Sequence, residues 1–72
     1  MYKYQVNFDK VFVDGILSGK RYHDHLRFVS KSDAIFFAKR DGMIITECTR
    51  TGSYRQEDSQ VIAIEPMLTE KY

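Results

Sequence analysis

Tryptophan is absent from these 72 residues, cysteine and proline occur once each, and glycine occurs only four times. A lone cysteine, Cys48, cannot close an internal disulfide, which excludes the covalent staple of small secreted domains. One proline, few glycines and no low-complexity tract, beside 43% hydrophobic and 14% aromatic residues, argue against a disordered chain. Long apolar runs are also missing. The two longest, Ala34–Ala38 and Val61–Ile64, fall far short of the roughly 20 residues that span a bilayer. Met1-Tyr2-Lys3-Tyr4 offers neither the apolar core nor the cleavage site of a secretory signal. The expectation is a cytoplasmic protein with no membrane partner: one domain over residues 1–66, and a loose C-terminal tail over 67–72. At 8.5 kDa the chain is near the lower limit for independent folding.

Charge of one sign is lacking overall, since the net value is +1, but its placement is uneven. Residues 1–40 carry eight basic and four acidic side chains (+4), and residues 41–72 carry three basic and six acidic (−3). Such a split suits an ordinary mixed surface, or a dipolar one that docks on a partner or on a second copy.

Hydrophobic periodicity places the elements. Tyr2, Tyr4, Val6 and Phe8 alternate with Lys3, Gln5 and Asn7, the period of a half-buried strand. Asp9-Lys10 interrupts the alternation before Val11-Phe12-Val13, which predicts a bulge there or a strand end buried on both sides. Asp14-Gly15 and Ser18-Gly19 form the connection. A second strand over residues 20–29 puts Tyr22, Asp24, Leu26 and Phe28 on one face and Arg21, His23, His25 and Arg27 on the other. Asp24 then lies on the core side, unless the alternation slips.

Ser30 followed by Asp33 resembles a capping box, with Ser32 as the rival cap. A helix of about 11 residues follows, with Ala34, Phe37, Ala38 and Asp41 on one stripe, ending at a left-handed Gly42. Met43–Thr49 reads as a third strand, residues 50–58 as a polar hairpin connection around Thr51-Gly52-Ser53, and Ser59–Glu65 as a fourth strand stopped by Pro66. The order is ββαββ. The predicted fold is α+β, a single antiparallel four-stranded sheet with one helix packed on one face.

His23-Asp24-His25 is the most suggestive triplet. Residues two apart on a strand share a face, so both imidazoles could meet one metal ion, with Cys48 as a thiolate from another strand. The chain has no second close ligand pair, however, and the row Arg21-His23-His25-Arg27 reads more simply as a solvent-facing stripe. No metal and no cofactor are expected. Catalytic motifs are lacking as well: there is no G-x-S-x-G, no G-x-x-x-x-G-K and no G-x-G-x-x-G. The chain reads as a non-enzyme.

The apolar side chains outnumber what one short helix can cover. The leading reading is therefore a small protein-binding regulator or inhibitor, with an unidentified protein partner and self-association as a homodimer. Val61, Ile62 and Ile64 are the expected interface, because this uncharged strand must be either central or paired across a two-fold axis. Size and missing catalytic motifs fit an accessory protein of bacterial or phage origin. The alternative is nucleic-acid binding by Tyr2, Tyr4, Arg21, Tyr22, His23, His25 and Arg27, with the rings stacking on bases and the cations meeting phosphates.

Overall fold

The computed structural model describes residues 1–48 and 50–64, with backbone alone at Glu47 and Cys48. It contains strands β1 (Tyr4–Phe12) and β2 (Arg21–Phe28), helix α1 (Lys31–Ala38), and strands β3 (Ile44–Cys48) and β4 (Gly52–Ala63). All pairings are antiparallel, in the order β2-β1-β4-β3. Two hairpins are thus joined through their long members, with the helix as the crossover between them. This is the α+β architecture expected of the alternation pattern. No helix among the described residues is long and apolar enough to cross a membrane. Pro66 and the predicted tail lie outside the described residues.

Register decides the faces. Val6 stands opposite Leu26 and Val61, and Phe8 opposite Asp24, so these share the face that α1 covers. Val6, Phe8 and Ala34 form the buried centre, with Tyr4, Phe28, Phe37 and Ala38 packed against it. Phe37 is the helix's anchor: its ring meets Phe8 edge-on at 5.1 Å and Phe28 at 5.5 Å. Phe36, one residue round the helix, is 74% exposed. Beyond the helix the same face carries a second aromatic group, Phe12 with Tyr22 at 5.9 Å and Tyr54 at 5.5 Å. Asp24 does lie on the core side, where Lys10 pairs with it at 3.3 Å.

Ser30 is the N-cap, extended at φ −102°, ψ 136°, and its Oγ accepts the Asp33 N–H at 3.4 Å. The helix is shorter than expected, 8 residues rather than about 11. Tertiary bonds end it. After Ala38 the chain tightens into i→i+3 bonds, Arg40 N–H to Phe37 O and Asp41 N–H to Ala38 O. The N–H of Gly42 (φ +86°) then goes to Gln56 O of β4 at 2.7 Å.

Two boundaries differ from the sequence reading. The interruption expected at Asp9-Lys10 is not in β1, which runs unbroken with Asp9 on the uncovered face and Lys10 on the covered one. The bulge belongs to β4, where the register with β1 shifts between Asn7 and Asp9. Asp58 sits there at φ +57°, a left-handed conformation that Asp tolerates better than most residues. Residues 53–58 are also strand rather than loop. Their polarity misleads because their side chains on the uncovered face pair with each other, while Tyr54 and Gln56 are buried on the covered face.

Candidate functional site

The uncovered face of the sheet carries most of the side chains that could do chemistry. Asp9 of β1 stands between His23 of β2 and Glu57 of β4. Arg21, at the turn end of β2, reaches across all three strands: Nε and Nη2 bind Asp9 Oδ2 at 2.9 Å, Nη1 binds Glu57 Oε1 at 3.1 Å, and Nη2 binds Asp58 Oδ2 at 2.8 Å. The left-handed turn at Asp58 swings its carboxylate back toward this guanidinium. Arg55 Nε donates to the other oxygen of Glu57 at 2.7 Å, and His23 Nδ1 donates to Asp9 Oδ1.

Roofed by Arg21 and His23, Asp9 is only 9% exposed despite facing solvent's side of the sheet. The hydrogen bond from His23 holds its carboxyl below the ordinary range; burial opposes this, and Arg21 reinforces it. Glu57 is lowered in the same way, chiefly by Arg55, against burial, with Arg21 adding to it. Arg21 is raised, principally by its bond to Asp9. The cluster is a branched chain of charge-assisted bonds, from His23 through Asp9 and Arg21 to Glu57, Asp58 and Arg55, that staples β2, β1 and β4 together across the bulge. Sequence reading missed it. The one signal was Asp9, the acid that breaks an apolar alternation.

Chemically the cluster resembles the orienting half of a catalytic dyad, because a carboxylate fixes His23 through Nδ1. The nucleophile is lacking: among the described residues no hydroxyl is hydrogen-bonded to His23. Nor, among the described residues, do three His, Cys, Asp or Glu side chains converge to hold a metal ion. His23 and His25 do share a face, as the metal reading required. The side chain of Cys48, the third ligand proposed for it, lies outside the described residues.

The residues of the nucleic-acid reading are not brought together. Tyr4 and Tyr22 lie on the covered face, Tyr22 against Phe12, with Tyr2, 54% exposed, just ahead of β1. Arg21, His23, His25 and Arg27 lie on the opposite face. Arg21 is bound to three carboxylates, and Arg27 Nε donates to Gln5 Oε1 at 2.9 Å. No family model matches the chain, and neither a curated protein nor a solved structure matches it.

Of the expected interface, Val61 lies on the covered face and Ile62 and Ile64 on the other, with Val61 37% and Ile62 38% exposed. A second apolar patch lies on the outside of α1. There Phe36 and Met43, which is 57% exposed, line one shallow groove together with Lys39 and Arg40. Arg40 is partly committed, its guanidinium lying 5.1 Å over the Phe37 ring.

Proposed function

We propose that this chain is a small non-enzymatic binding protein of the cytoplasm, a regulator or inhibitor of bacterial or phage origin that acts through protein–protein contacts and self-associates. The observation that carries the reading is the Phe36–Met43 patch. A singly exposed apolar residue needs no explanation, but a phenylalanine three-quarters exposed beside an exposed methionine, rimmed by Lys39 and Arg40, is the composition of a contact surface. Phe36 lies outside the core cluster, which Phe37 anchors, so its ring is left available for a contact.

The test is affinity purification from the native cell with the wild-type chain and with Phe36→Ser. A protein retained by the first and lost by the second, at unchanged circular dichroism, supports the reading. Identical protein sets with both baits refute it.

A further inference from the structure

We infer that the C-terminal half of β4 is a self-pairing edge, and that residues Gln60–Ile62 join the same residues of a second copy in an antiparallel two-fold pair. The inference rests on the self-association in the reading above and names the surface for it. Along its first half β4 is interior, between β1 and β3: Tyr54 stands opposite both Phe12 and Ile45, and Arg55 opposite Val11 and Ile44. The β3 side then closes in steps, as Gly42 N–H reaches Gln56 O at 2.7 Å and the Asp41 carboxylate takes the Ser59 N–H at 3.2 and 3.3 Å. From Gln60 onward, among the described residues, β4 pairs on its β1 side only. The strand expected to be either central or at an edge is both.

Alternation identifies which groups face outward. Ile64 N–H donates to Lys3 O of β1's approach at 2.9 Å, and Ser59 N–H points the other way, to Asp41. Even-numbered residues therefore bond β1, and the main-chain N–H and C=O of Val61 point away from it. A two-fold axis at Val61 brings these groups of two copies into one doubly hydrogen-bonded pair. Val61 then faces Val61 on the helix side, and Ile62 faces Gln60 on the other.

The stretch from Ser59 to Ile64 holds no charge, proline or glycine, the devices that normally protect an edge. The other edges have them or are short: β2 presents Arg21, His23, His25 and Arg27, and β3 has only 5 residues. A second copy fits better than a foreign strand because the step is complementary to itself. With the axis at Val61, the partner's β4 continues the line of β3 along the same side of β4.

Sedimentation across the micromolar range, combined with cysteine cross-linking in a Cys48→Ser background, tests this. In the pair Val61 meets its own copy at about 5.5 Å between Cα atoms, within disulfide reach, whereas Gln60 is staggered two residues from its copy. A concentration-dependent species of twice 8.5 kDa, with Val61→Cys cross-linking several-fold more than Gln60→Cys, is the expected result. A dimer in which both variants cross-link equally, or neither does, overturns the edge pairing and leaves self-association standing. A monomer throughout overturns both, while a Phe36-dependent partner would still support the protein-binding reading.

Discussion

Replacing Phe37 by alanine separates the anchor of the helix from its exposed neighbour. Full deletion of a buried phenylalanine costs about 3–5 kcal/mol. Phe37 is half-buried rather than fully enclosed, but it touches two rings, Phe8 at 5.1 Å and Phe28 at 5.5 Å, and each such aromatic pair adds roughly 0.5–1.5 kcal/mol. Partial burial and the two ring contacts together place the loss at about 2–3 kcal/mol. A chain of 72 residues has about 4–11 kcal/mol in total, so the variant is expected to melt roughly 10–20 °C lower. Phe36→Ala removes a ring that is 74% exposed and is expected to change stability by no more than about 0.5 kcal/mol. Urea denaturation followed by far-ultraviolet circular dichroism measures both. Equal losses at the two positions would refute the assignment of the helix face, and with it the argument that Phe36 is free for a partner.

Gly52, at φ +100°, lies so close to the β1–β2 loop that an added Cβ would sit 2.0 Å from Asp14 O; Gly52→Ala is expected to cost at least about 2 kcal/mol, and a neutral thermal melt would contradict this close contact between the two hairpins. Asp9 and Glu57 are held below their ordinary values of 3.8 and 4.5, so the stability they contribute is present above those values and lost as pH falls through the lower folded ones. Arg21→Gln is expected to flatten that acid limb in part, since His23 and Arg55 stay in place, measured as the urea midpoint between neutral and acid pH; parallel curves for wild type and variant would show that Arg21 contributes nothing to it. EDTA and zinc are expected to leave the melting temperature unchanged, because among the described residues no three His, Cys, Asp or Glu side chains converge on one point, and a zinc-dependent rise would restore the metal reading. Single-stranded oligonucleotides at two salt concentrations are expected to show no steep salt dependence, given that Arg21 is occupied by carboxylates; a steep fall in affinity with salt would reverse this.

Sequence alone determined the local structure wherever side-chain period and burial agree. Tyr4, Val6 and Phe8 alternate because one side of β1 meets the helix. Ser30 caps α1 because its hydroxyl satisfies a neighbouring N–H, which is a local event. Phe37 rather than Phe36 faces inward because helical spacing puts it on the stripe of Ala34 and Ala38. Only the tertiary structure decided the length of α1, since bonds from Gly42 and Asp41 to β4 pull the chain away after Ala38. It also decided that residues 53–58 are strand, because Glu57 and Asp58 are paired with Arg21 of β2, distant in sequence, which no local pattern records. The cluster around Arg21 was hidden for a similar reason: its members, at positions 9, 21, 23, 55, 57 and 58, come together only when β1 pairs with both β2 and β4. Whether Val61 is interior or at an edge depends on how far β3 extends alongside it, and that is a property of the assembled sheet, which the strand's own residues do not encode.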